Sequence, residues 1–361
     1  MADITTLEVR RDDWATTRIV TEPLPTDLAE NEVLLAIDRQ ALTANNISYA
    51  ASGDLLGYWQ FFPAEEGWGR IPAMGWADVA ASAHPEVRVG ERVWGFFPFS
   101  THLKILAGQA SGAHFDDVSP HRAELAPVYA RFDRAAANPI YEAAREDHDS
   151  LLRGLFLTSW LAEDFLEVND FFGASACLIT SASSKTSIAL GHCVKRRGRL
   201  ASVGLTSAGN RAFCEGLGYY DTVVTYDEIA GLDSGEPVVI VDMAGSATVL
   251  GALHHHYGDN VRHSCRIGGT HHDDMGPVDD LPGAKPEFFF APAHIQSRSA
   301  ELGAAQLMQQ MGGDYVGFRV DSDAWLDIVR TRGPAAVETV YQQVLAGGAR
   351  PSEGQIFSIA E

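Results

Sequence analysis

The chain has 361 residues, more than one ordinary core holds and enough for two domains. Apolar residues make up 46% of it, as in a globular protein, and Asp plus Glu outnumber Lys plus Arg by 48 to 27, for a formal charge of −21. A surface this acidic repels nucleic acid and anionic membrane, so neither is an expected partner, and an anionic cofactor needs a local positive pocket. The four cysteines, Cys177, Cys193, Cys214 and Cys265, form no CxxC pair. The Met1-Ala-Asp-Ile start shows no basic or apolar leader, and no apolar run approaches the ~20 residues that span a bilayer. The expectation is a soluble, cytoplasmic protein with reduced thiols.

The first 125 or so residues read as β-rich. Residues 32–38 form a short apolar strand, and Val87-Arg-Val-Gly-Glu-Arg-Val-Trp-Gly95 alternates, turns at Gly90 and resumes. Between them lies an aromatic loop, residues 53–75, with Tyr58, Trp59, Phe61, Phe62 and Trp68, expected either to line an apolar substrate pocket or to cover the edge of the core. Residues 128–172 have a mostly helical pattern. From Ala174 the period changes: apolar strands at 176–180, 199–205, 222–225, 237–242 and 260–267, with a sixth at 287–290, alternate with helical stretches. Such alternation predicts a parallel sheet covered on both faces, a doubly wound dinucleotide-binding domain. A long helix at 295–311, a helical segment from Trp325, another from Gly333-Pro334 and a closing strand at 355–359 complete the chain.

The first turn of such a sheet normally carries GxGxxG, because glycine lets the backbone approach a pyrophosphate. Here the stretch is Thr180-Ser-Ala-Ser-Ser-Lys-Thr-Ser187, without glycine. Small side chains still permit close approach, the hydroxyls of Ser181, Ser183, Ser184 and Thr186 can donate hydrogen bonds, and Lys185 sits at a helix N-terminus that favours an anion. The alternative is a solvated Ser-rich turn with an N-cap. A nucleotide triphosphatase loop is excluded by the absence of both glycines of GxxxxGK[ST]. At the end of the second strand an acid would hold a ribose 2′-hydroxyl, but Gly204-Leu-Thr-Ser-Ala-Gly-Asn-Arg211 offers hydroxyls, an amide and one arginine. That set suits a 2′-phosphate and predicts NADP(H) over NAD.

These residues resemble a family. Residues 177–195 align without gaps with the strand, A-x-G-G-V-G and helix segment of zinc-free quinone oxidoreductases and enoyl reductases of the medium-chain dehydrogenase/reductase superfamily. Leu217-Gly-Tyr-Tyr-Asp-Thr-Val-Val-Thr-Tyr226 is similar to their L-G-A-D-x-V-x-x-Y, Val87 to Gly95 to their F-x-V-G-D-R-V-x-G, and Ile71-Pro-Ala-Met-Gly75 to the P-x-x-x-G before it. Leu42-Thr-Ala-Asn-Asn-Ile-Ser-Tyr49 stands in the place of their L-N-x-x-D, with the Asp replaced. The resemblance implies an α/β fold: a GroES-like β-rich catalytic domain, residues 1–150 and 293–361, plus a Rossmann doubly wound parallel-sheet domain for NADP(H), residues 151–292, with the site in the cleft. By position, Asn46 and Thr158 would lie near the nicotinamide. Ser181, Ser183, Ser184, Lys185 and Thr186 would take the pyrophosphate, and Ser207, Asn210, Arg211 and Tyr226 would surround the adenosine. Met243, Ala244 and Gly245, with Phe289, Phe290 and Pro292, would line the path to the nicotinamide. A homodimer through the edge of the central sheet is expected on the same ground.

Zinc-dependent branches draw catalytic ligands from the first domain, yet no cysteine precedes Cys177, so no metal is expected. His254-His-His256 and His271-His272 point in diverging directions on a helix and read as surface histidines. Reduction without a metal needs a proton donor. Tyr58 sits in the loop where related enoyl reductases place a proton-donating tyrosine; Tyr49, one turn beyond Asn46, is the alternative, with His294 and Arg298 as further candidates. Three functions stay open. The first is an NADPH-dependent, metal-independent reductase acting on an activated C=C (enone or enoyl) or carbonyl of a hydrophobic small molecule. The second is a non-catalytic NADP(H)-binding protein (a redox sensor or crystallin-like relative). The third is a lyase or isomerase that uses bound nicotinamide transiently.

Overall fold

The computed structural model describes residues 3–108, 110–243, 245–268 and 280–361. The chain divides into two compact units, one of Met1–Leu151 with Leu326–Glu361 and the other of Leu152–Trp325. The return to the first unit comes at Leu326 rather than at the expected residue 293, because two helices that follow residue 290 pack within the second unit.

In chain order the first unit contains β1 (Asp3–Arg10), β2 (Thr17–Pro23), β3 (Glu32–Leu42), α1 (Ala44–Ala51), β4 (Trp68–Gly69), β5 (Pro72–Ser82), β6 (Arg92–Pro98), β7 (His102–Gly108), β8 (His114–Asp117), β9 (Arg131–Arg134) and α2 (Glu146–His148). The second unit contains α3 (Gly154–Val168), β10 (Ala176–Ile179), α4 (Lys185–Arg197), β11 (Ala201–Thr206), α5 (Arg211–Gly216), β12 (Thr222–Thr225), β13 (Val238–Asp242), α6 (Ala247–Tyr257), β14 (Val261–Arg266), β15 (Pro286–Phe288), α7 (Ala291–Leu302) and α8 (Ala304–Asp321). The first unit resumes with β16 (Asp327–Arg332), α9 (Pro334–Leu345) and β17 (Glu353–Ser358).

In the first unit β3, β5, β6, β9, β8 and β7 pair in that order, and β7 pairs back onto β3, so the sheet closes on itself. Closure removes most exposed strand edge and encloses the alternating inward residues Val33, Leu35, Ile37, Val79, Val93, Phe97, Phe115 and Phe132. Beyond the stretch covered by β7, β3 pairs through Gln40, Ala41 and Leu42 with β17. A second cluster joins β1, α1 and α9 through Leu7, Val9, Ile47, Trp59, Val337 and Tyr341. Trp59, Phe61 and Phe62 are almost fully buried, so the aromatic loop covers the core edge, the second of its two expected roles.

The second unit carries a six-stranded parallel sheet ordered β12-β11-β10-β13-β14-β15, which in local numbering is 3-2-1-4-5-6. This is the order of a doubly wound dinucleotide-binding sheet, with the chain reversing direction between β10 and β13. Every residue of β13 is buried, which explains its unbroken apolar run up to Asp242.

Residues 128–172 are mostly helical, as their pattern predicts, with β9 set between short 3₁₀ turns ahead of α2 and α3. Two expectations need correction. The helix foreseen at 295–311 is two, broken at Gly303, whose φ of 84° a helix cannot continue. Trp325 opens no helix; it precedes β16, which β17 pulls into a parallel pair. Between α3 and β10, Asp170, Phe171, Phe172 and Gly173 all have positive φ, a single left-handed turn anchored by buried Phe171 and by the stacking of Phe172 on His263 at 4.3 Å.

Candidate functional site

The bend between β10 and α4 lies at the reversal point of the sheet, where doubly wound proteins bind ligands. Ser181 takes φ 49°, the left-handed conformation a glycine would otherwise supply. Ser184 caps α4: its Oγ accepts from Ser187 N at 3.2 Å and donates to Ser187 Oγ at 2.9 Å. Ser187 in turn donates to the Thr180 carbonyl at 2.8 Å. Lys185 is the first residue of the helix and is half-buried. The second strand contributes Asn210, whose Nδ2 donates to Ser183 Oγ at 3.0 Å, and Tyr226 after the third strand brings its hydroxyl within 3.5 Å of Ser181 Oγ. The structure thus gathers Ser181, Ser183, Ser184, Lys185, Asn210 and Tyr226 at one place, with Ser207 at the N-cap of the turn holding Asn210. Ser184 is committed to the helix, so its hydroxyl is a cap and not a spare donor. Thr186 is tied to α3, its carbonyl accepting from Ser159 Oγ at 2.7 Å. Thr158, one residue earlier, turns its hydroxyl back to the Gly154 carbonyl at 3.2 Å.

Two residues that the sequence did not single out hold the bend. Tyr220 donates to the Ala182 carbonyl at 2.8 Å, and its ring fills the slots left by Gly191 on α4 and Gly204 on β11. A Cβ at Gly191 would stand 2.7 Å from the ring, and one at Gly204 would stand 2.8 Å from it. Thr180 Oγ1 donates to Asp242 Oδ1 at 2.7 Å and accepts from Met243 N at 3.0 Å, while Asp242 Oδ1 also accepts from Gly245 N at 3.2 Å. Met243 and Gly245 are therefore fixed to the bend through Thr180; Ala244 lies outside the described residues. The strain at Ser181 yields a prediction. Ser181→Gly relieves about 1 kcal/mol of left-handed strain, partly offset by glycine's greater freedom when unfolded, so urea denaturation should show unchanged or slightly raised stability. A clear loss would show that the Ser181 hydroxyl, and not its backbone angle, is what the bend requires.

Arg211 does not stand open to a phosphate. Its Nη1 donates to both carboxylate oxygens of Glu228, at 2.7 and 2.8 Å, and its Nε donates to Glu215 at 2.9 Å. These hydrogen bonds raise the Arg211 pKa further and place two negative charges around one positive. Glu228 also accepts from Thr225 N at 2.9 Å as the second half of a capping box. Phe289 packs beside Phe165 and His294, whereas Phe288 and Phe290 are exposed and stacked 6.3 Å apart, and Pro292 sits in the first turn of α7.

In the first unit Asn46 closes a capping box: its Oδ1 accepts from Thr43 N at 2.7 Å, and its Nδ2 donates to the Pro72 carbonyl at 2.8 Å. Buried and bonded on both sides, Asn46 anchors α1 to β5. Tyr49 and Tyr58 meet edge to face at 5.0 Å. Burial pushes both phenols up, so both stay protonated near neutral pH; for Tyr58 its hydrogen bond with Tyr129 acts in the opposite direction.

His294 and Arg298 both clamp buried Asp164, His294 Nε2 and Arg298 Nε each at 2.8 Å from Oδ2, which fastens α7 to α3. His254 is no surface residue. It is fully buried, with Nδ1 2.8 Å from the Pro282 carbonyl and Nε2 2.9 Å from Ser264 Oγ. His256 Nε2 lies 2.9 Å from the Leu232 carbonyl. His271 and His272 lie outside the described residues. Among the described residues no group of three His, Cys, Asp or Glu side chains is placed to hold a metal, and no helix is long and apolar enough to cross a membrane.

Of the curated proteins, none matches the chain. Among solved structures, CurA of Vibrio vulnificus in complex with NADPH superposes with a TM-score of 0.60 at 12% identity, covering 99% of each chain. A mutant form of the enoyl thioester reductase from Candida tropicalis gives 0.58 at 12% identity, over 99% of this chain and 100% of that one. The yhdH oxidoreductase of Salmonella enterica in complex with NADP gives 0.55 at 12%, over 98% and 99%. At such identity the likeness establishes the fold alone, a GroES-like β-rich unit plus a Rossmann doubly wound unit. Residues 40–350 match the profile of a family described as protein of unknown function (DUF2855). That match spans most of the sequence, and the chain belongs to the DUF2855 family.

Proposed function

We propose that this chain is an NADPH-dependent reductase, free of catalytic metal, that reduces an activated C=C or a carbonyl of a hydrophobic small molecule. The observation that carries the reading is the hydroxyl-rich bend at Thr180–Ser187, set at the reversal point of a 3-2-1-4-5-6 sheet and opening onto the N-terminus of α4. The residues fit a dinucleotide. Ser181 supplies the backbone angle of the missing glycine, Lys185 supplies positive charge in an acidic protein, and no acid ends β11. That CurA and the yhdH oxidoreductase are described with NADPH and NADP bound supports the choice of coenzyme. When bound, the nicotinamide would supply a hydride. Ser181, Ser183, Lys185 and the first-turn amides of α4 would bind its pyrophosphate, Asn210 and Tyr226 would flank the adenosine, and Tyr58 would supply the proton. We assign the first unit the catalytic role and the second the dinucleotide.

Titration with NADPH and NADH, followed by nicotinamide fluorescence and then by oxidation in the presence of an enone and aldehyde panel, tests this reading. No binding of either coenzyme refutes it. Binding without turnover across the panel favours the non-catalytic alternative, which the internal commitment of Ser184 and Arg211 also supports. The ion cluster adds a sharper expectation. Glu228→Gln keeps the capping hydrogen bond but removes one of the two charges that hold Arg211, leaving Glu215 alone, so NADPH affinity should rise about fivefold relative to NADH. Arg211→Ala leaves the Glu215 and Glu228 carboxylates without their cation beside the same site, and should lower the ratio about tenfold. An unchanged ratio in both variants would place the 2′-phosphate elsewhere.

A further inference from the structure

The hydroxyls of Tyr58 and Tyr129 lie 3.3 Å apart, and their rings meet edge to face at 5.7 Å. Aromatic rings enclose the pair: Tyr49 lies 5.0 Å from Tyr58, while Phe61 and Phe96 lie 5.1 and 5.5 Å from Tyr129. In surroundings this apolar the two phenols are each other's natural hydrogen-bond partners, and the bond between them is stronger than it would be in water. Tyr129 is also fixed from behind. It ends the turn Pro127–Tyr129, and its carbonyl accepts from Arg122 Nη1 at 2.8 Å. Arg122 is itself buried, 2.9 Å from Asp117 and 4.7 Å above the Phe62 ring. A buried ion pair contributes little net stability by itself. This one fixes the backbone that carries Tyr129, so only two side-chain torsions separate that backbone from the hydroxyl contact.

We infer that Tyr129 is a positioning residue for proton donation: its O–H donates to the Tyr58 oxygen, orients the Tyr58 proton away from the pair, and stabilises the phenolate left when that proton departs. The inference rests on the reading of Tyr58 as proton donor in a reduction by a reduced nicotinamide. In that reaction a hydride from the reduced nicotinamide, thereby oxidised by two electrons, adds to one carbon of the substrate, the π bond breaks, and its electron pair becomes an enolate or alkoxide. The Tyr58 O–H bond then breaks as a new C–H or O–H bond forms on the substrate. The electron pair stays on the Tyr58 oxygen, which the Tyr129 hydroxyl continues to hydrogen-bond until water returns a proton. Burial raises both phenols, but the bond between them lowers Tyr58 and raises Tyr129, which makes Tyr58 the better acid of the two. Of the titratable and charged groups nearby, Tyr49 meets the Tyr58 ring and Arg122 bonds the Tyr129 carbonyl, with Asp117 and His121 behind Arg122.

The test places 3-fluorotyrosine at position 58 and follows its ¹⁹F resonance through a pH titration of the full chain without coenzyme. Tyr129→Phe should raise the Tyr58 midpoint by about one pH unit. In turnover, the same variant should lower kcat about tenfold or more with KM nearly unchanged. An unmoved or lowered midpoint overturns the inference, as does a raised midpoint with unchanged kcat. Should Tyr129→Phe fail to fold, 3-fluorotyrosine at 129 in Tyr58→Phe reads the same bond from the other side, with a lowered midpoint expected. Because the titration needs neither coenzyme nor substrate, failure of the reductase reading shows separately, as absence of nicotinamide oxidation by the unsubstituted chain.

Discussion

Tyr220→Ala is expected to destabilise the second unit by about 4 kcal/mol, the range of a large buried aromatic removed from a core, and to weaken coenzyme binding with it. Two losses combine. The ring leaves a cavity between α4 and β11, and the Ala182 carbonyl at the centre of the bend loses its donor. Tyr220→Phe keeps the ring and should cost about 1 kcal/mol. Denaturant unfolding of the two variants separates packing from hydrogen bonding, and equal losses would show that the ring is not the prop. A double-mutant cycle goes further. Gly191→Ala should be damaging in the unsubstituted chain, where its methyl would meet the Tyr220 ring, and nearly harmless in Tyr220→Ala, where that space is empty. Additive effects would contradict the packing described above.

The second large effect is expected from Thr180→Val. The two side chains have almost the same shape, so the change deletes a hydroxyl and little else. That hydroxyl is a buried hub between β10 and the end of β13: Asp242 loses a donor at 2.7 Å, and Met243 N loses an acceptor at 3.0 Å. Removing one partner from buried polar groups costs about 1–3 kcal/mol each, so a loss of about 3 kcal/mol is expected. Thr180→Ser should recover most of it, because Ser keeps the oxygen. Denaturation of Thr180→Val, Thr180→Ser and the unsubstituted chain checks this, and the idea fails if Ser and Val behave alike. Since Met243 and Gly245 are positioned through this hub, Thr180→Val should also weaken NADPH binding at temperatures where the unit remains folded.

How much of this was legible beforehand follows from the physics of each element. The parallel sheet announced itself because its strands are buried on both faces and read as unbroken apolar runs such as Val238 to Asp242. The N-cap role of Ser184 is one of the two sequence readings of the bend, and the structure shows that capping bond. The Arg211–Glu215 pair is a local i,i+4 contact on α5, but Glu228 reaches Arg211 from a turn beyond β12, a meeting no local pattern reports. Tyr220 left a faint signal, a bulky residue in Leu217-Gly-Tyr-Tyr-Asp221 matched by glycines at 191 and 204. The left-handed turn at Asp170–Gly173 left almost none, since only Gly173 among its residues favours that angle. The burial of Trp59, Phe61 and Phe62 could not be told from a pocket lining by residue type alone, because both roles demand the same apolar surface.

The position of β17 bears on how the protein is made. Leu42 in β3 pairs with Gln355, a partner 355 − 42 = 313 residues later in the chain. At the ~5–20 residues per second of a translating ribosome, that part of the β3 edge waits on the order of 15–60 seconds for its neighbour. The second unit, an uninterrupted run from Leu152 to Trp325, has everything it needs to condense in the meantime. The nascent barrel therefore carries an open, apolar Gln40-Ala-Leu42 border through most of its synthesis, and that border is where chaperone dependence or mispairing between growing chains should concentrate.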